Sequence, residues 1–121
     1  MPKLLFLEDE PIIAMDLEAV LSQAGFDVHW FTTCRSASYW LENNQPDVAL
    51  IDIELSDGTC VPIAELLIKR QIPFVVHSGY SSHANYVHEV FKRGRWISKP
   101  ADYNGLVRIL QEHVTTPEQK I

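Results

Sequence analysis

No apolar stretch in this chain is long enough to span a bilayer, and no charged segment precedes a short apolar one as an export signal would. The expectation is a cytoplasmic protein without membrane contact. Basic runs are equally scarce. Ten Lys and Arg stand against sixteen Asp and Glu, the formal net charge is −6, and the densest basic cluster is Lys92-Arg93-Gly94-Arg95. That is too little positive charge for a nucleic-acid footprint, so direct DNA or RNA binding is not expected. Cysteine is limited to Cys34 and Cys60, which form no metal-ligand spacing, and two reduced thiols are expected rather than a disulfide. Neither G-x-G-x-x-G nor G-x-S-x-G occurs, which removes a dinucleotide fingerprint and a serine-hydrolase elbow. Internal repeats, low-complexity tracts and interdomain linkers are missing as well.

What remains fits one compact domain. The chain has 121 residues, 46% hydrophobic and 21% charged, enough for a single core. Apolar runs alternate with amphipathic stretches. Lys3–Leu7 reads as a strand. Between Pro11 and Ala24, the residues Ile13, Leu17, Val20, Leu21 and Ala24 fall on one helical face. Pro11 suits a first helical turn, and Gly25 ends the helix. Asp27–Phe31 is strand-like, Thr33–Asn43 helical, and Asp47–Asp52 a nearly continuous apolar run ending in an acid. Cys60–Arg70 is a helix, Ile72–His77 a strand with Pro73 near its start, and Ser82–Lys92 a weaker helix. A short strand then leads to Lys99-Pro100, and Tyr103–Val114 is the last helix. The polar residues 115–121 read as a frayed tail.

Five βα units in sequence, with strands lacking polar alternation, argue for a doubly wound α/β domain with a parallel sheet. Such folds place function beyond the carboxyl ends of their strands. Those ends carry Glu8 and Asp9, then Asp52, then Ser78, then Lys99. Three adjacent acids, Glu8-Asp9-Glu10, are costly there unless a cation offsets them. Two unit charges about 4 Å apart repel by roughly 4 kcal/mol at a surface-like dielectric. Glu10 is set apart by Pro11, and its charge suits the helix N-terminus instead.

The segments LFLEDEP, DVALIDIELSDG, PFVVHSGY and ISKP, in this order, resemble the response-regulator receiver domain of two-component signalling over nearly the whole chain. The HSGY stretch resembles a receiver subgroup marked by a Phe-Ala-Thr-Gly-Tyr segment. The resemblance implies a flavodoxin-like (βα)5 fold with strand order 2-1-3-4-5; the chain length leads to the expectation of one domain over residues 1–121 and no output domain. The resemblance also implies that Asp52 is the phosphoacceptor of a phosphoprotein. Mg²⁺ would be the cofactor, bound by Asp9 and Asp52, by Glu8 through water, and by the main-chain carbonyl of Glu54. Ser78 would meet the phosphoryl group as the switch hydroxyl, and Lys99 would supply its counter-charge. The chain would be a signalling domain rather than an enzyme, assisting only its own aspartyl phosphorylation and dephosphorylation.

The residue types suit that chemistry. A carboxylate is a nucleophile already ionised at neutral pH, and phosphoryl transfer asks the protein for alignment and charge neutralisation. Mg²⁺ prefers oxygen ligands of this kind. By the same resemblance the Lys99-Pro100 bond is cis, and Trp96 stands where receivers carry a switch aromatic, a role it shares with plain packing as the alternative. Glu8, Ser78 and Ser56 replace the commoner Asp, Thr and Pro of the family, and Glu54 and Tyr80 occupy positions that tune acyl-phosphate hydrolysis. His77 and Ser78, as strand neighbours, point to opposite faces, so His77 does not activate Ser78. His83 and His88 are read as solvated. A histidine kinase or phosphotransfer protein is the expected donor and an effector protein the expected recipient, with a homodimer left open. The alternatives are a phosphate sink in a phosphorelay and a receiver-like binding module that works without phosphorylation.

Overall fold

The computed structural model describes residues 1–79 and 89–114. Its main sheet runs β1 (Lys3–Leu7), β2 (Asp27–Phe31), β3 (Val48–Ile51), β6 (Phe74–Ser78) and β7 (Arg95–Ser98), all parallel, in the order β2-β1-β3-β6-β7. With the strands of this sheet counted alone, that is 2-1-3-4-5. A separate two-stranded hairpin, β4 (Glu54–Leu55) with β5 (Gly58–Thr59), was not anticipated, since two-residue strands carry no periodicity to read. The helices are α1 (Pro11–Gln23), α2 (Cys34–Leu41), α3 (Val61–Lys69) and α4 (Tyr103–Val114).

Alternation along the strands divides the core. Leu5, Leu7, Ala49, Ile51, Phe74 and Val76 pack with Ala37 and Leu41 of α2 and with Ile63, Ala64 and Leu67 of α3. Leu4, Phe6, Val48, Leu50 and Val75 pack with Ala14, Leu17 and Leu21 of α1 and with Leu106 and Leu110 of α4. Both sheet faces are therefore covered, which is why the strands read as apolar runs. Pro11 opens α1, and Gly25, at φ +98°, carries the chain out of it in a conformation that side chains disfavour. The Thr33 hydroxyl accepts from the Ser36 amide and so starts α2 one residue later than expected. Arg70 closes the other end of that helix from outside, donating to the carbonyls of Leu41 at 2.9 Å and Asn44 at 3.1 Å. Gly94 is required by proximity: an added Cβ would lie 2.4 Å from the Phe74 ring.

The expected helix over Ser82–Lys92 falls largely on residues 80–88, outside those described, together with Tyr80, His83 and His88. Overlapping its last residues, Glu89–Arg93 form a 3-10 helix with Phe91 buried against the α2–α3 side of the core. The tail from 115 also lies outside the described residues.

One expectation is overturned. Cys34 and Cys60 are not free thiols but form a disulfide, with Cα atoms 5.6 Å apart across 26 positions of sequence. The reason is topological. Cys34 begins α2 and Cys60 is the cap residue of α3, and the two helices lie side by side on one sheet face, which brings these ends within bridging range. A prior drawn from cellular compartment carries no information about that geometry.

Candidate functional site

The carboxyl ends of β1, β3, β6 and β7 meet at one rim. β1 delivers Glu8 and Asp9, and the register Leu7↔Ile51 sets the end of β3, and hence Asp52, beside them. The Asp52 amide donates to the Leu7 carbonyl at 3.1 Å, fixing that alignment. One carboxylate oxygen from each of Glu8, Asp9 and Asp52 lies within 4.8 Å of the others. β7 ends in Lys99, whose amide donates to the Ser78 carbonyl at 2.8 Å, and the Lys99-Pro100 bond is cis. The Lys99 Nζ reaches back to Glu8 Oε1 at 2.9 Å and Asp52 Oδ2 at 3.0 Å.

Burial makes these contacts consequential. Glu8 is 1% exposed and Asp52 9%. Burial pushes both carboxyls above their ordinary range, an effect the Lys99 ammonium only partly offsets. For Lys99, burial pulls downward, but the hydrogen bonds and charges of Glu8 and Asp52 outweigh it and the net shift is upward. The remaining oxygens are also placed: Ile53 donates its amide to Asp52 Oδ1 at 2.8 Å, and Glu10 donates its amide to Glu8 Oε2 at 3.2 Å. Glu10 itself is 62% exposed at its side chain, 3.9 Å from Lys99, and makes no helix-capping bond. It belongs to the periphery of the site.

Three carboxylates around one ammonium leave negative charge in excess, and every donor is a hard oxygen. That set suits a small divalent cation of the Mg²⁺ or Ca²⁺ type and not a soft metal. Ser78 is fully buried at the end of β6. Glu54 lies in the hairpin two residues beyond Asp52, exposed. Trp96 is half-buried and packs against the α2–α3 side of the core. His77 faces away from Ser78, is 3% exposed, and has no hydrogen-bond partner on either ring nitrogen. Burial, with Lys99 nearby, holds its imidazole at a pKa of about 4, so it is neutral.

Two contacts at the rim had no local signature. The Trp30 indole donates to the Glu8 carbonyl at 2.8 Å, tying the edge strand β2 to the acidic corner. Asp57 accepts from the amides of Cys34 at 2.8 Å and Arg35 at 3.0 Å, capping α2 from 22 and 23 residues away. Capping by spacing finds partners three residues apart and misses both.

Residues 4–111 match the family described as the response regulator receiver domain. Among curated proteins, the chain is 31% identical over 111 residues to the photosynthetic apparatus regulatory protein RegA of Rhodobacter capsulatus, covering 88% of this chain and 60% of that one. It is 33% identical over 82 residues to the phyllosphere-induced regulator PhyR of Methylorubrum extorquens, covering 64% and 31%. The chain thus spans about three fifths or less of the curated relatives it matches. Among solved structures, it is similar to a CheY-like response regulator receiver domain protein from Methanospirillum hungatei, with TM-score 0.81, 25% identity, and 99% and 97% of the two chains covered. The non-phosphorylated HemR receiver domain from Leptospira biflexa superposes with TM-score 0.82 at 24% identity over 96% of each chain, a likeness of fold. Among the described residues, no helix is long and apolar enough to cross a membrane.

Proposed function

Because the chain belongs to the response regulator receiver domain family, we propose that Asp52 accepts a phosphoryl group from a phosphohistidine donor and passes the signal on through protein contacts. The donor is a histidine kinase or phosphotransfer protein, and the recipient an effector protein. One observation carries this reading: carboxylates of Glu8, Asp9 and Asp52 converge within 4.8 Å around a Lys99 ammonium bonded to two of them. A purely structural rim gains nothing from that costly concentration of charge.

The roles follow from the chemistry. Asp9, Asp52 and the Glu54 carbonyl, with Glu8 through water, would hold Mg²⁺, which supplies positive charge to the phosphoryl oxygens. The Asp52 carboxylate attacks phosphorus in line. Its oxygen–phosphorus bond forms as the phosphorus–nitrogen bond to the donor imidazole breaks, and the imidazole keeps the electron pair and takes up a proton. Lys99 then faces the transferred group instead of a bare carboxylate, and the Ser78 hydroxyl donates to one of its oxygens.

The test is direct. Incubation with acetyl phosphate and Mg²⁺ is expected to add about 80 Da to the intact mass, an acyl phosphate that Asp52→Asn abolishes. An adduct that survives Asp52→Asn, or none in the wild type, defeats the assignment.

A further inference from the structure

Asp52 is separated from α3 by a short segment, residues 53–59, that carries Glu54 at its start. Cys60 closes this segment: its amide donates to the carbonyl of Ile53, the residue next to Asp52, at 3.0 Å. Ile53 and Leu55, on either side of Glu54, are anchored in the core, and the ties of the residues after them are polar and exposed. Ser56 Oγ donates to the Thr32 carbonyl at 3.4 Å, and Asp57 accepts the two α2 amides. Hydrogen bonds of that kind compete with water and contribute little each. The Cys34–Cys60 bond is the covalent cross-tie, joining the end of the segment to the start of α2.

The two sulfurs differ in access. Cys60 is fully buried, whereas Cys34 is half-buried at the first residue of α2. Its Sγ is 3.5 Å from the Gly58 carbonyl, a ready acceptor for the reduced thiol. An incoming thiolate therefore reaches Cys34 and not Cys60.

We propose that Cys34–Cys60 is a reversible thiol–disulfide site that controls the metal affinity of the Asp52 centre by tethering or releasing residues 53–60. The proposal rests on the phosphoacceptor reading of that centre. In the reducing direction, one thiolate of a small dithiol attacks Cys34 Sγ, and Cys60 leaves as a thiolate and takes up a proton. The reductant's second thiol then closes its own disulfide and releases Cys34 as a thiol. Two electrons and two protons pass from the dithiol to the protein. In the oxidising direction, a low-molecular-weight disulfide accepts them by the same steps reversed. With the bond closed, the Glu54 carbonyl is held ready for the cation. With it open, ordering that carbonyl becomes part of the cost of binding.

The experiment uses the whole chain in two forms, oxidised and dithiothreitol-reduced, whose thiols are counted by alkylation and intact mass. Mg²⁺ is titrated calorimetrically into each, and each is then treated with acetyl phosphate. The oxidised form is expected to show no alkylation and to bind Mg²⁺ about 3–10-fold more tightly than the reduced form. The Cys34→Ser, Cys60→Ser double variant is expected to match the reduced form and to ignore dithiothreitol. Faster amide exchange at residues 53–60 after reduction of the wild type gives the same information without a variant. Equal Mg²⁺ affinities in the two wild-type forms, free thiols under oxidising conditions, or a double variant that still responds to dithiothreitol each overturn the proposal. Absence of the phosphoryl adduct from both forms defeats the phosphoacceptor reading instead, a result read from mass and separable from the titration.

Discussion

Removing the Lys99 ammonium is the sharpest probe of the rim. Its Nζ is 2.9 Å from one carboxylate and 3.0 Å from another, and its side chain is only 14% exposed. Lys99→Met keeps the aliphatic stem and deletes the charge, leaving Glu8 and Asp52 buried beside Asp9 without compensation. Breaking a buried ion pair from one side costs about 3–5 kcal/mol, because the remaining charge is stranded. For a domain of this length, a loss of that size lowers Tm by roughly 12–20 °C. The pH dependence identifies the cause. Glu8 and Asp52 already have raised pKa values through burial, so the folded protein binds protons there more readily than the unfolded chain. Stability associated with their protonated forms is present at low pH and lost as pH rises through the folded pKa values. Without Lys99 those values rise further, so the variant's deficit should be largest near about pH 8 and shrink towards about pH 5. Urea denaturation of both proteins across this range measures it, and taking the difference cancels the titrating groups that do not feel Lys99. Millimolar Mg²⁺ should recover part of the deficit at the higher pH. A deficit below about 1 kcal/mol, or one that does not change with pH, would refute the argument that stranded carboxylates set the cost.

Other outcomes follow from separate features. Reducing the disulfide should lower unfolding stability by about 3–4 kcal/mol on the chain-entropy account of a closed loop, read as a shift in the urea midpoint. His77→Leu should stabilise by about 1–3 kcal/mol, since it removes two buried nitrogens that have no partner. The same substitution should abolish an acid-side loss: with His77 near 4 in the fold and about 6.5 unfolded, stability falls by up to about 3 kcal/mol as pH drops between those values, measured by denaturant titration at each pH. Gly94→Ala should cost about 1–3 kcal/mol, because its Cβ would lie 2.7 Å from the Phe74 carbonyl and 2.4 Å from its ring, and thermal melts report it. Arg70→Met should cost about 1.5–3 kcal/mol by orphaning the Leu41 and Asn44 carbonyls, with faster amide exchange at the end of α2.

The architecture was legible where one physical rule acted alone. β1, β2 and α4 have the bounds their patterns indicated; for β1 and α4 the reason is that an apolar run covered on both faces, or a long helical stripe, leaves few competing readings. α2 and α3 start later than their patterns suggested, since Thr33 and Cys60 serve as caps and not as helical residues. The residues of the rim could be named from the sequence because strand order and polarity coincide there: Glu8, Asp9 and Asp52 each follow an apolar strand, and Lys99 follows the short β7. What escaped depends on distance across the fold. Asp57 capping α2, Trp30 bonding the Glu8 carbonyl, and Cys34 meeting Cys60 join residues 22 to 26 positions apart. No local spacing encodes such pairs, and only the assembled sheet brings them together.

The indole of Trp30 has a practical consequence. Its nitrogen–hydrogen group ends on the carbonyl of the first acid of the cluster, so this chromophore senses the polarity of that corner through a single bond. An ultraviolet emission measurement on unlabelled protein should therefore report entry of the proposed cation, and Trp30→Phe identifies which of the three tryptophans is speaking.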